Sequence, residues 1–266
     1  MSTPVPILLY HSMADDVAPK FKPWAISPKQ FATHMAYLHD RNYTPLTVGQ
    51  FVQIVSGNAG ALPERPVVIT FDDGLADFYT SAYPLLRAYG FPATLYIVSG
   101  FVGGESRWLA PDGEGNRPMM TWNQVAEICT SGIECGAHSV NHPQLDIIST
   151  NKARDEIFRS KDILEQHLGR AVSTFAYPHG HHSPKVRQLV IDAGYASACA
   201  VKDAMSTTTD DIFALSRIVV YPEIGVDHLG KLLKGEGLRV TPPSEWIPTK
   251  ILRLYRRLTA PAEGRV

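Results

Sequence analysis

Short apolar runs of strand character alternate with amphipathic runs of helical spacing along this 266-residue chain. VPILLY (5–10), VVITF (67–71), ATLYIV (93–98), IECGA (133–137), STFAY (173–177), ASACAV (196–201) and a stretch near 215–221 read as strands. Between them, Ser27-Pro28-Lys29-Gln30 and Thr47-Val48-Gly49-Gln50 carry the capping-box pattern that starts a helix. A helix over 75–89 stops at Gly90, Thr121 opens another to about 131, and others cover about 150–168, 184–193, 226–234 and 248–258. Residues 100–120 and 202–213 lack periodicity and read as loops. Strands separated by helices demand a parallel sheet with helices packed outside it. Seven or so strands suffice to close a distorted (β/α) barrel. The length suits a single domain over 1–266, and 44% hydrophobic residues supply its core.

A formal net charge of −1 gives no basic excess for nucleic acid. The three cysteines, Cys129, Cys135 and Cys199, are odd in number and lack a C-x-x-C pair, so buried free thiols are expected rather than a disulfide framework. MSTPVPILLYHS has no basic leader-like start, and no run nears the ~18 apolar residues of a membrane span, so the expected location is cytoplasmic. In WIPTKILRLYRRL (246–258), Ile247, Ile251, Leu254 and Leu258 recur at helical spacing beside Lys250, Arg253, Arg256 and Arg257. Such a helix covers the barrel, or, as the sharper reading, lays residues 247–258 on the inner-membrane surface.

In parallel α/β folds chemistry gathers beyond the carboxyl ends of the strands. Here those ends carry Tyr10-His11-Ser12, Asp72-Asp73-Gly74, His138-Ser139-Val140-Asn141-His142, Pro178-His179-Gly180-His181-His182 and Arg217. His138 and His142 stand four apart, so both imidazoles can face one point. Two imidazoles and a carboxylate make a three-ligand set for a divalent ion with positions left open, as a hydrolase needs. One of the two adjacent aspartates would ligate and the other act as base, and the cation would relieve their repulsion. Gly74 lets the chain turn so that both neighbouring side chains reach one pocket.

TFDDG (70–74), HSVNHPQL (138–145) and FAYPHG (175–180), in that order, resemble the motifs of the NodB-type polysaccharide deacetylases, the fourth carbohydrate esterase family. The resemblance implies an α/β fold of the NodB type, a distorted barrel. It implies Asp73, His138 and His142 as ligands of a divalent metal, zinc first, with cobalt, nickel or iron as alternatives. It makes Asp72 the base and aims the backbone N–H of Tyr177 at the oxyanion. Where many members carry an arginine in the third motif this chain has Ala176, and the usual late leucine-x-histidine motif is missing. LLYHSM (8–13) looks like that motif moved by circular permutation, similar to poly-N-acetylglucosamine deacetylases. His11 is then the acid, and Arg217 the replacement arginine.

The expected activity is metal-dependent removal of acetyl groups from an N-acetylated sugar or polysaccharide. Related barrels act on formamides, O-acetyl esters or cyclic imides, and a carbohydrate-binding barrel with a degenerate site is the non-catalytic alternative. His179, His181 and His182 read as loop residues at the rim, and His34, His39, His167 and His228 as surface residues on helices. Trp24 and Trp108 can stack on sugar or pack under loops. Ser139 and Asn141 are expected to fix the turn between the two ligating histidines.

Overall fold

The computed structural model describes residues 3–240. Its strands are β1 (Pro4–Val5), β2 (Ile7–Tyr10), β3 (Thr44–Leu46), β4 (Pro66–Phe71), β5 (Ala93–Ile97), β6 (Ile133–Ala137), β7 (Thr174–Ala176), β8 (Ser197–Cys199), β9 (Ala204–Thr207), β10 (Ile218–Val219) and β11 (Arg239–Val240). Its α-helices are α1 (Pro28–Asp40), α2 (Val48–Val55), α3 (Tyr83–Tyr89), α4 (Trp122–Cys129), α5 (Thr150–Leu168), α6 (Pro184–Asp192) and α7 (Val226–Leu233).

Seven strands run in the order β10-β2-β4-β5-β6-β7-β8, every pair parallel, with β3 beside the start of β4. The segment before β10 joins the two edges. The Ala200 N–H donates to the Leu215 carbonyl at 2.8 Å and the Leu215 N–H to the Ala198 carbonyl at 3.0 Å, while Ile218 pairs with Leu8 of β2. The sheet therefore curls into the expected distorted barrel, with residues 215–219 as its seam.

Alternation along each strand divides the core. Leu8, Tyr10, Ile69, Phe71, Leu95 and Ile97 pack with Phe31, Met35 and Leu38 of α1 in the large outer cluster. The opposite face carries Ile7, Val68, Tyr96, Ala176 and Cys199, together with buried polar groups. There the Tyr96 hydroxyl meets Thr174 Oγ1 at 2.9 Å and Cys199 Sγ at 3.3 Å, and Ser197 Oγ donates to Thr174 Oγ1 at 3.2 Å. Gly136 is required at this level, because a Cβ would lie 2.6 Å from the Tyr96 ring and 2.9 Å from Thr174 Cγ2.

Several local expectations need correction. VPILLY is two strands: β1 pairs antiparallel with β9 in a small sheet, and only β2, past Pro6, enters the barrel. The 202–213 loop contains β9, which also pairs with β11; Ala204-Met205-Ser206-Thr207 has too few β-branched residues to signal a strand. A π-helical turn over Phe78–Ala82 leads into α3, where Pro84 has no N–H to continue a regular α ladder. Gly90 (φ 65°) ends that helix as expected. Ser27 caps α1, but the Gln30 side chain donates to the Pro222 and Ile224 carbonyls, both at 2.9 Å, instead of closing the box. His34 is fully buried, not on the surface: its Nδ1 meets the Tyr10 hydroxyl and its Nε2–H donates to the Ile224 carbonyl at 2.8 Å.

The cysteine expectation also fails. Cys129 at the end of α4 and Cys135 in β6 form a disulfide, their Cα atoms 6.1 Å apart across the short helix–strand turn, and Cys199 alone is a buried free thiol. Sequence pairing rules miss it because neither the count nor the spacing is that of a disulfide scaffold. Among the described residues no helix is long and apolar enough to cross a membrane. The expected helix over 248–258 and the surface-binding stretch 247–258 lie outside the described residues.

Candidate active site

Parallel strands bring their carboxyl ends to one rim, and strand register sets the level of each side chain. Tyr10 pairs with Phe71, so His11 and Asp72 leave adjacent strands together. Ile97 pairs with Ala137, which places His138 beside the end of β5. Val68, Thr70 and Asp72 share the inner face of β4, and Arg217 reaches them from the seam.

Arg217 is fully buried and grips Asp72 with a fork: Nη1 to Oδ1 at 2.6 Å and Nη2 to Oδ2 at 2.8 Å. Nε donates to the Ala200 carbonyl at 3.2 Å, and the guanidinium lies 5.4 Å from the Tyr96 ring centroid. Burial would raise the Asp72 carboxyl, but Arg217 and His138 pull it below the usual carboxylate range. The structure thus places a buried cation against Asp72, from the seam and not from position 176.

Asp73, His138 and His142 converge beside it. His138 Nε2 lies 3.2 Å from His142 Nε2 and 3.8 Å from Asp73 Oδ1, and His142 Nε2 lies 3.5 Å from the same oxygen. The His138 Nδ1–H donates to the Ala176 carbonyl at 2.8 Å, which leaves the Nε2 lone pair facing inward. Asp73 Oδ1 is buried with no hydrogen-bond partner. Burial, Asp72 and Asp77 raise the Asp73 carboxyl well above its usual range, while burial and the neighbouring His138, His179 and His11 hold His142 far below the ordinary imidazole value. Two imidazole nitrogens and a carboxylate oxygen converging on one point make an N₂O set that fits a divalent cation.

The chain reaches this geometry through left-handed backbone at non-glycine residues: Asp73 (φ 78°), Ser139 (φ 63°), His142 (φ 60°) and His179 (φ 60°). Asp73 thereby turns its side chain to the same side as Asp72, with Gly74 (φ 84°) completing the turn. Ser139 Oγ accepts the His142 N–H at 2.9 Å. Glu156 of α5 holds the rest of the loop, accepting from the Val140 and Asn141 N–H groups at 2.8 Å each and from the Asn141 side chain at 2.7 Å. Ser139 and Asn141 do fix this turn. Glu156 escapes sequence reading because a helical glutamate carries no signal of its distant partner.

A cavity of about 180 Å³ opens over these groups. His11, Trp24, Trp108 and His179 are among its walls. Burial pushes the His11 imidazole down to about 4, against the upward pull of Asp72. The His11 ring lies 5.1 Å from Trp24, and Trp108 lies 5.5 Å from the His142 ring. The expectation for Tyr177 is corrected. Its N–H donates to the Cys199 carbonyl at 3.0 Å as part of the β7–β8 ladder, and its hydroxyl donates to the Phe213 carbonyl, so neither donor faces the cavity. His179, two residues on, lines the cavity together with Gly180, its ring 4.8 Å from His142.

The sequence profile described as polysaccharide deacetylase matches residues 59–198. The chain belongs to that family. The Staphylococcus aureus poly-beta-1,6-N-acetyl-D-glucosamine N-deacetylase is 24% identical over 227 residues, 81% of this chain and 74% of the relative. The Streptococcus pyogenes deacetylase PplD, solved in complex with acetate, superposes with a TM-score of 0.75 at 25% identity, covering 88% of this chain and 99% of that one. IcaB from Ammonifex degensii shares the fold, with a TM-score of 0.73 at 21% identity over 87% of this chain and 97% of its own. This deacetylase thus has the NodB-type barrel that its motifs imply.

Proposed function

We propose that this deacetylase hydrolyses the acetamide of an N-acetylated hexosamine polysaccharide, with a beta-1,6-linked N-acetylglucosamine polymer as the first substrate to test. One observation carries the reading: a carboxylate held ionised by a buried arginine stands beside an acceptor cluster fit for a divalent cation, both facing one cavity. The named substrate of the Staphylococcus aureus relative supports the choice of glycan. Because Arg217 supplies the charge missing at Ala176, the one feature favouring a degenerate binding barrel disappears. His11 from the first barrel strand and Arg217 from the seam meet at one rim, which supports reading the chain as a single catalytic unit.

Asp73, His138 and His142 would hold the cation, zinc first by donor type. When bound, such an ion polarises the substrate carbonyl and acidifies water. Asp72 takes the proton from the attacking water, and Arg217 keeps it ionised and aimed. His11 is neutral in the resting site. Negative charge developing on the substrate raises its affinity for a proton, which it takes from solvent and passes to the departing nitrogen, while Asp72 returns the proton of the attacking water to solvent. Acetate and an amine leave.

The test measures acetate release from the polymer alongside metal content by mass spectrometry. Asp72→Asn should keep its metal and lose about 10²- to 10⁴-fold in kcat, whereas Asp73→Ala with His142→Ala should lose the metal itself. Full activity in Asp72→Asn would refute the reading.

A further inference from the structure

One carboxylate beside the site has no part in the chemistry so far. Asp77 lies one turn beyond Asp73, its side chain 13% exposed. Its Oδ2 accepts from Ser12 Oγ at 2.5 Å across 65 residues of sequence, and its Oδ1 is buried without a hydrogen-bond partner. Ser12 follows His11 directly and is fully buried. Its main chain is fixed on the other side by residues 24–26: its N–H donates to the Trp24 carbonyl at 3.1 Å and its carbonyl accepts the Ile26 N–H at 2.9 Å. His11 therefore sits between the end of β2 and a residue held at both backbone and side chain. Its own ring packs beside the Trp24 ring, a contact that sets no direction for the imidazole nitrogens. Arg117 reaches the same carboxylate at 3.8 Å and stacks toward Phe21, which ties the clamp to the cavity mouth.

We propose that Asp77 is a positioning residue which, through its hydrogen bond to Ser12, holds the backbone at His11 so that the imidazole stays aimed at the departing nitrogen. This rests on the reading of His11 as the acid. A misplacement of about 1 Å in a catalytic group can lower a rate about 100-fold, and proton delivery itself contributes about 10²- to 10⁴-fold.

A substrate pair isolates that step. An acetamide needs a proton on its leaving nitrogen, whereas p-nitrophenyl acetate expels a stable phenolate that needs none. Metal-loaded full-length protein is assayed on both substrates as wild type, His11→Ala, Ser12→Ala, Ser12→Thr, Asp77→Asn and the Ser12→Ala/Asp77→Asn double variant. The proposal expects Ser12→Ala to lose about 10- to 100-fold in kcat on the acetamide and less than about threefold on the aryl ester. Metal content should stay unchanged, Ser12→Thr should restore the rate, and the double variant should be no worse than the worse single one. Loss on both substrates in parallel, or on neither, overturns the clamp. If His11→Ala itself shows no preference for the acetamide, the acid assignment falls and the proposal with it; if His11→Ala is selective and Ser12→Ala is not, only the clamp falls.

Discussion

Substituting Arg217 with methionine removes the cation from a fully buried pair while keeping much of the side chain's volume. Two charge-assisted bonds of 2.6 and 2.8 Å disappear, together with the 3.2 Å bond to the Ala200 carbonyl. Asp72 is left buried, with the neutral His138 imidazole at 3.6 Å and, among the described residues, no cation in contact. Breaking such a pair on one side costs about 3 to 5 kcal/mol, because the stranded charge keeps its desolvation penalty. For a chain of this size that lowers the melting temperature by about 6 to 20 °C. The Asp72 carboxyl is depressed in the fold, so the pair's contribution is present above the unfolded carboxylate value and vanishes as pH falls through the depressed one. The deficit of Arg217→Met should therefore be largest near neutrality and shrink in acid. Adding Asp72→Asn removes the stranded charge and should return most of the lost stability, whereas Arg217→Lys, charged but unable to fork, should fall between wild type and Arg217→Met. Thermal melts of chelator-treated protein at pH 7 and about pH 3, below the unfolded carboxylate value, compare the three variants with wild type. A loss below about 1 kcal/mol in Arg217→Met, or a double variant no more stable than the single one, would refute the argument.

Three other outcomes follow from the same geometry. Glu156→Ala should loosen the loop between the two histidines and weaken divalent-metal affinity about 10- to 100-fold, read by metal titration. His34 is held below its ordinary value by burial, so the unfolded chain binds the extra proton and stability declines on acidification below about 6.5; His34→Gln should flatten the drop in urea midpoint between pH 7.5 and 5.5. Thiol titration of denatured, unreduced protein should find one thiol, Cys199, and three after reduction.

The site is more legible in the sequence than its supports are. Asp72, Asp73, His138 and His142 announce themselves because a polar side chain at the end of an apolar strand does nothing for the core and costs desolvation. Arg217 can be nominated only through the family resemblance, which makes Ala176 the place of a missing arginine. Tyr177 is misjudged from sequence because a three-residue strand and a left-handed turn decide which residue of FAYPHG faces the cavity, and neither leaves a periodic trace. Glu156, Asp77 and His34 act through partners 15 to 190 residues away, and no local pattern encodes such distances. The Cys129–Cys135 bond depends on the turn that joins α4 to β6, which composition cannot supply.

The seam has a consequence for how the enzyme comes into being. Asp72 and Arg217 stand 145 residues apart in sequence yet share one fork of bonds. A growing chain that has left the ribosome as far as β8 already carries His11, Asp72, Asp73, His138 and His142. What it lacks is the strand that closes the ring and the guanidinium that grips Asp72. Closure of the ring and the fork on Asp72 therefore form in one event, late in the chain, and neither can be made without the other.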